Sequence, residues 1–366
     1  MVTTELRRDP ITGRSVLIDL DPHPHRDDFV VGAGWAGAAD GTGQEGEASA
    51  GNVAFDGNVG AAFRRTVPCA FCEGREAETG LELLAWRDSG AANEPGWSVR
   101  VVPNRRPMLR IEGHQDRRAH GVFETRDGLG AHEVVIESPL HDQALQDLPV
   151  DRLWRVLWAW RTRLHDLRRD TRFAAAVVFK NHGRAAGARM DHAHSQIAAY
   201  PIVPAALDDK VRGAAAHFAH TGHCIFCDVT AQELRDGRRM VSDTGPIIAI
   251  TPFASRVPFE TWLMPREHAP RFEEASDAVL EAMAVVLKDV MARIDWALER
   301  PACNLVLHTA PFSGEADLSF HWHLEVIPRV TRWSGLEWGS GIPRNPVSPE
   351  EAARVLRSVK PVGPGL

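Results

Sequence analysis

Residues 187–196, Gly-Ala-Arg-Met-Asp-His-Ala-His-Ser-Gln, hold the densest chemistry in this chain of 366 residues. Two histidines and an amide, His192, His194 and Gln196, fall on alternate residues directly after a glycine-containing loop. If residues 191–203 form a strand, these three side chains share one face, because strand side chains alternate. Three polar groups on one face are costly to bury unless each has a partner. An imidazole nucleophile beside a metal-ligating imidazole, with an amide aimed at an oxyanion, gives all three a use. Standing alone, the pair could equally be two satisfied histidines on a polar face.

The rest of the chain shifts that balance. Four of the five cysteines form two C-x-x-C pairs, Cys69/Cys72 and Cys224/Cys227, and Cys303 is single. In a long chain without a secretion signal, such pairs read as metal or redox sites rather than a disulfide framework. Each pair is followed by spaced histidines: His141 then His192-Ala193-His194, and His268 then His321-Trp322-His323. Both H-x-H pairs lead into strand-like runs, residues 197–201 and 324–328. Two related halves, each offering Cys, Cys, His and His, suggest two tetrahedral Cys₂His₂ sites and an internal duplication.

Each half also needs elements to hold these residues. Leu153, Leu157, Trp160, Leu164 and Leu167 lie at helical spacing within 151–168, and Val279, Met283, Val286, Leu287, Val290 and Ile294 within 275–298. Trp154, Trp158, Trp160 and Trp296 on these helices are expected in the core. Strand-like runs fall at 98–102, 133–136, 174–179, 247–251, 260–264 and 304–308. This order predicts an α+β fold of two halves, each an antiparallel sheet with a packed helix, rather than a doubly wound parallel sheet. Neither G-x-G-x-x-G nor a P-loop occurs. The expected division is 1–212 and 213–366, with the Gly- and Ala-rich segment 31–62 a flexible insertion. His23-Pro24-His25 imitates the H-x-H pair, but its proline-broken setting assigns it no chemistry.

Composition narrows the class. A net charge of −7 argues against a dedicated nucleic-acid or anionic-membrane binder. Arginine is abundant while lysine is confined to Lys180, Lys210, Lys288 and Lys360. There is no N-terminal apolar h-region and no apolar run of membrane-spanning length, so the cytoplasm is the default location.

The order C-x-x-C, V-P-N-R-R-P, G-A-H-E-V-V-I-E-S-P-L-H, F-K-N-H-G-R-A-A-G, H-A-H-S-Q, C-x-x-C and H-W-H-L-E-V-I-P-R resembles the galactose-1-phosphate uridylyltransferase family. That family is the transferase branch of the histidine-triad superfamily. The likeness covers roughly residues 5 to 355, with 31–62 outside it. Its H-S-Q form is closer to ADP-glucose phosphorylase-like and prokaryotic members than to the H-P-H-G-Q uridylyltransferases.

The resemblance implies double-displacement nucleotidyl transfer from a nucleoside-diphosphate sugar to a sugar 1-phosphate. His194 matches the nucleophile and Gln196 the glutamine that bonds phosphate oxygens. Asn181 and Gly187 match loop positions lining the site, and Asn104 a position near the nucleoside. Glu337, in a segment similar to the family's G-F-E, matches a glutamate that contacts sugar hydroxyls. By the same matching, Cys69, Cys72, His141 and His192 would hold a structural Zn²⁺. Cys224, Cys227, His268 and His321 would hold a second. The resemblance also suggests a homodimer.

Three positions depart from that pattern. Arg189 stands where the family has serine, and Pro343-Arg344 where an apolar residue precedes N-P; added guanidinium groups suggest a more anionic substrate. Glu325 replaces the glutamine in the second half, and a carboxylate repels phosphate, so His323 reads as structural or acceptor-side rather than a second nucleophile. Two other functions compete: a phosphorylase using inorganic phosphate as acceptor, and a zinc-stabilised nucleotide-binding protein without catalysis.

Overall fold

The strands that carry the chemistry are largely buried on both faces, one apolar and one polar, so both faces must be covered. The computed structural model describes residues 4–21, 29, 69–114 and 116–359. The expected insertion at 31–62 and the His23-Pro24-His25 segment lie outside the described residues. An amino-terminal hairpin comes first, β1 (Thr4–Arg8) and β2 (Ser15–Asp19). The first half then supplies β3 (Leu84–Arg87), β4 (Trp97–Pro103), β5 (Arg117–His120), β6 (Phe123–Arg126), β7 (Ala131–Ile136), α1 (Val150–Leu167), β8 (Ala175–His182) and β9 (His194–Tyr200). Helices α2 (Ala205–Thr221) and α3 (Ile225–Asp236) lead to β10 (Met240–Thr244), β11 (Ile247–Ile250), β12 (Thr261–Pro265), α4 (Asp277–Leu298), β13 (Cys303–His308) and β14 (His323–Pro328). Three short elements close the chain: α5 (Gly335–Ser340), β15 (Arg344–Asn345) and α6 (Pro349–Ser358).

The fold is α+β with antiparallel pairing throughout the main sheet, as the sequence predicts. One difference matters for the site. The two halves do not carry separate sheets; ten strands form one, in the order β10-β11-β12-β14-β13-β8-β9-β7-β4-β3. The seam is the β13–β8 pair, where Asn304 lies opposite Asn181 and Cys303 opposite His182. The amino-terminal hairpin joins β15 through parallel pairing of Leu17 and Ile18 with Arg344 and Asn345. Arg7 adds an ion pair to Glu350, so the chain's first strands are fastened to its last elements.

Strand alternation sorts the residues. On one face Val101, Val135, Val178, Ile197, Leu263, Leu305 and Leu324 pack with α1 and α4 in one continuous core. That core is apolar enough to drive the assembly, at about 25 cal/mol per Å² of apolar surface removed from water. Trp160 of α1 is buried in it and donates its indole N–H to Ser195 Oγ at 2.8 Å, beneath the strand that carries His194. Truncating it should cost about 3–5 kcal/mol by leaving a cavity and an unpaired hydroxyl. Urea unfolding of Trp160→Ala, read as a lowered midpoint, checks this. Trp296 departs from expectation: it is 58% exposed at the solvent side of α4, while Trp154 and Trp158 are half-buried.

The opposite face carries most of the polar residues of interest. His132, Asn181, His194 and Gln196 project there in the first half, and His308, His323 and Glu325 in the second.

Candidate active site

The strand expected at 191–203 begins only at His194. His192 precedes it, so the two histidines diverge. His192 is buried with its Nδ1 3.7 Å from both Cys69 Sγ and Cys72 Sγ, while Cys72 Sγ is 3.5 Å from His141 Nδ1. Its other nitrogen, Nε2, donates to the Ser138 carbonyl at 2.8 Å, which fixes Nδ1 as the lone-pair side.

The second cluster repeats the plan. Cys227 Sγ is 3.4 Å from His268 Nδ1 and 3.7 Å from His321 Nδ1. The Nε2 atoms of His268 and His321 donate to the carbonyls of Asp317 and Pro265. In each cluster the four donor atoms lie within 4.8 Å of one another. A tetrahedral zinc bound through sulfur and imidazole separates S from N by about 3.6 Å. Both donor sets therefore fit such an ion. The local structures differ, since Cys224 caps the amino end of α3 and Cys69 and Cys72 lie in a turn.

His194 has a different setting. Its Nδ1 donates to the His192 carbonyl at 2.8 Å, so Nε2 keeps its lone pair, and no described residue hydrogen-bonds to it. The edge of the Phe71 ring approaches with a centroid separation of 5.5 Å. Burial holds the imidazole below its usual titration range, and the positive charge of Lys180 adds to this. Lys180 is itself buried, donating to Glu137 at 2.6 Å and to the His194 carbonyl at 3.1 Å. It therefore straps the start of β9 to the end of β7.

Gln196 is oriented by a chain that begins at a main-chain amide. Met108 N–H donates to His132 Nδ1 at 3.1 Å, so His132 Nε2 carries the proton and donates to Gln196 Oε1 at 2.8 Å. Asn104 Nδ2 donates to the same oxygen at 3.3 Å. With Oε1 occupied twice, Gln196 offers its NH₂ to whatever occupies the site. Asn181 is treated alike: its Oδ1 accepts from Asn304 Nδ2 across the seam at 2.8 Å, leaving its NH₂ to donate. Gly187 has φ of +88°, a left-handed conformation that glycine adopts without strain, and a side chain there would come to 3.9 Å from Asn181 Nδ2.

The structure thus joins His194, Gln196, Asn181, Asn104 and Gly187 around one sheet face. Arg189 is exposed in the loop just before it. Glu337 is not brought there; its carboxylate accepts from Ser334 N and caps α5, and Ser334 also holds it below the usual carboxylate range. Arg344 faces Asp19 at 3.4 Å, an ion pair within the hairpin sheet. Arg105 is exposed and bonds the Glu78 carbonyl. Sequence reading missed His132, although its place on the strand with Val134 and Ile136, inside the G-A-H-E motif, was the available signal.

The second half provides an internal comparison. Gln196 lies opposite Phe179, and Glu325 opposite Val306, so Glu325 occupies the place of Gln196 and His323 that of His194. Two residues further along the neighbouring strands, His308 occupies the place of Asn181. His323 has the same clamp, Nδ1 to the His321 carbonyl at 3.0 Å, but its Nε2 meets Lys210 Nζ at 2.6 Å. It is 0% exposed, so a substrate could touch it only if Lys210 left.

One α+β sheet built from two repeated halves, two Cys₂His₂ clusters and an open imidazole at His194 define the class: a histidine-triad-type enzyme built from two fused halves. Models of the galactose-1-phosphate uridyl transferase N-terminal and C-terminal domains match residues 93–204 and 210–332, so the chain belongs to that family. It is 33% identical to ADP-glucose phosphorylase of Arabidopsis thaliana, over 80% of this chain and 82% of that one. It is 30% identical to galactose-1-phosphate uridylyltransferase of Thermotoga maritima, over 66% and 77%. The crystal structure of the Arabidopsis ADP-glucose phosphorylase with bound ADP-glucose superposes with a TM-score of 0.75 at 28% identity, covering 98% of this chain and 99% of that one.

Proposed function

We propose that this chain transfers a nucleoside monophosphate from a nucleoside-diphosphate sugar to a sugar 1-phosphate by double displacement through His194. The carrying observation is the contrast between two identically clamped histidines, one with Nε2 open and one with Nε2 held by Lys210. In the first step the His194 Nε2 lone pair bonds the α-phosphorus, the bond to the bridging oxygen breaks, and a sugar 1-phosphate leaves with the electron pair. The His192 carbonyl, accepting from Nδ1–H, offsets the positive charge that develops on the ring. In the second step a phosphate oxygen of the acceptor attacks phosphorus, the P–N bond breaks, and neutral His194 returns.

The NH₂ groups of Gln196 and Asn181 donate to the phosphate oxygens as charge gathers on them, with Gly187 giving backbone access. Gln196→Ala should lower kcat about 10²–10³-fold, as loss of one preorganised donor does; steady-state kinetics on the folded variant would show it. Asn104 borders the nucleoside, and Arg189 belongs to the sugar or acceptor side.

The direction of the His194 shift sets a pH dependence. The nucleophile is the neutral ring, and burial lowers its pKa below the ordinary 6.5. Activity should therefore persist through pH 6.5 and fall only as pH drops through the depressed pKa. An acid limb of kcat/KM centred above 6.5 would contradict this assignment.

We assign Zn²⁺ to both clusters. No step of the transfer passes through either ion; the first holds His192 and so fixes the strand entrance that places His194. A homodimer and a cytoplasmic setting, where thiolates stay reduced, complete the reading.

The similarity to an ADP-glucose phosphorylase over 80% of the chain favours a second reading, with the same first step and inorganic phosphate as acceptor. A panel of nucleotide sugars, assayed for sugar 1-phosphate release with hexose 1-phosphate or with inorganic phosphate, separates the two. Turnover only with hexose 1-phosphate supports transfer, and turnover only with phosphate supports phosphorolysis. No release from any nucleotide sugar would leave a non-catalytic binding protein.

A further inference from the structure

The loop that joins β8 to β9 belongs to the first half but is seated on the second. It leaves β8 at Gly183, whose φ of +78° is a left-handed value, and a Cβ there would come within 2.8 Å of Ala302 Cβ. Three bonds within the loop hold its turn: Ala186 N–H to the Gly183 carbonyl, Gly187 N–H to that of Arg184, and Ala188 N–H to that of Gly183. One more side chain crosses the seam. Asn304 Nδ2, on β13, donates to the Ala186 carbonyl at 2.9 Å and to Asn181 Oδ1 at 2.8 Å.

These two bonds decide an orientation. A side-chain amide has an accepting and a donating end of similar size, so its direction follows from its partners. The Ala186 carbonyl can only accept, which fixes the Asn304 atom facing it as nitrogen. The same NH₂ directs its second proton to Asn181, so the Asn181 atom facing it must be oxygen. The NH₂ of Asn181 is thereby turned toward Gly187, where a Cβ would lie 3.9 Å from it. Reversed, Asn181 would aim a carbonyl oxygen at the phosphate and repel it.

The other side of the seam lacks this device. Phe179 lies opposite Gln196 and Val306 opposite Glu325, so positions 177, 179 and 181 of β8 correspond to 304, 306 and 308 of β13. The counterpart of the Asn181–Asn304 pair is therefore His308–Val177, and both pairs are in register across the seam. Val177 stands where Asn304 stands, and a valine side chain donates nothing. The bridging amide accompanies the open imidazole of His194 and is missing beside His323, whose Nε2 meets Lys210.

We propose that Asn304 is a positioning residue for nucleotidyl transfer: from the second half, it sets the direction of the Asn181 amide and so completes the phosphate-binding face around His194. The proposal rests on the transfer reaction assigned to His194. Asn304 acts through Asn181 rather than on the reacting phosphorus, and it makes the chemistry of the first half depend on the second.

Steady-state kinetics with ADP-glucose and UDP-glucose, each with hexose 1-phosphate or inorganic phosphate, test it. Asn304→Leu keeps much of the side chain's shape and removes both donated bonds. Asn304→Ser, with one proton on a shorter arm, serves if leucine prevents folding. The expected result is a kcat at least about tenfold lower, a part of what loss of a whole preorganised donor costs. KM should change by less than about threefold, because the donors act as charge gathers in the transition state, and the melting temperature should stay close to wild type. In an Asn181→Ala background the same substitution should cost less than about threefold further, since residues that act as a unit are not additive. Val177→Ala, the corresponding seam position, should leave kcat within about twofold.

Unchanged kcat in Asn304→Leu and Asn304→Ser overturns the proposal and leaves His194 in place. A loss that persists undiminished in the Asn181→Ala background, or an equal loss in Val177→Ala, also overturns it, because either marks a packing role. Absence of wild-type turnover with every nucleotide sugar overturns the reading of His194 and the proposal with it.

Discussion

Replacing His194 with glutamine is expected to lower nucleotide-sugar turnover on the order of 10⁴-fold or more, while the protein stays folded. A nucleophile has no substitute in a double displacement, and loss of one typically costs about 10⁴–10⁶ in kcat. The fold should tolerate the change because, among the described residues, the side-chain hydrogen bond lost is Nδ1 to the His192 carbonyl, and a glutamine amide can donate there. His323→Gln is the informative partner. Its imidazole is fully buried against Trp262 and His308, with Lys210 on Nε2. That variant should lose stability by about 1–3 kcal/mol, because Lys210 and Glu325 lose a packed neighbour, and should retain its chemistry once folded. Steady-state rates and thermal melts on both variants read the contrast. Equal rate losses in the two would remove the asymmetry on which the assignment of His194 rests.

Removing metal is expected to have the second-largest effect. The S–N separations of 3.5 and 3.7 Å at the first cluster and 3.4 and 3.7 Å at the second match the tetrahedral value of about 3.6 Å. Each buried imidazole is also braced by a main-chain carbonyl at 2.8–2.9 Å. Purified protein should therefore contain two zinc per chain. Cys72→Ser should leave one, and should lower the melting temperature by on the order of 10 °C, because binding energy at a structural site is folding energy. Activity should fall as well, since Cys72 holds His192, whose own carbonyl holds the nucleophile. Cys227→Ser, remote from His194, should lower the melting temperature with a smaller loss of kcat in the surviving folded protein. Metal analysis giving no zinc, or a Cys72→Ser variant with unchanged melting temperature, would remove zinc from the account.

What the sequence made legible follows from how local each signal is. The C-x-x-C pairs and both H-x-H pairs are contiguous, and their repetition told the halves apart before any strand was placed. The long helices were readable because Leu153, Leu157, Trp160 and Leu164 repeat at 3.6-residue spacing. Contacts between distant strands were not readable. Lys180 meets Glu137, and Lys210 meets His323, only after β7, β8, β9 and β14 take their places. A lysine buried by a partner across the sheet looks in sequence like any surface lysine.

The seam was hidden for the same reason. Asn304 and Asn181 pair because two halves share one sheet, and nothing in either strand alone specifies that edge. Trp296 was misplaced because hydrophobicity favoured the core, whereas its angular position on α4 turns it outward. Glu337 was matched through a short segment whose hydrogen bonds prove to be local. Arg344 likewise finds Asp19.

The central claim is that His194, and no other residue, carries the nucleotidyl group between donor and acceptor. The most direct test is intact-mass and peptide mapping of the protein after brief incubation with ADP-glucose or UDP-glucose in the absence of acceptor. The account predicts one acid-labile nucleotidyl group per chain, mapped to His194, lost in His194→Gln and discharged on adding hexose 1-phosphate or phosphate. An adduct on His323 or any other residue, or turnover of the nucleotide sugar with no adduct at all, would contradict it.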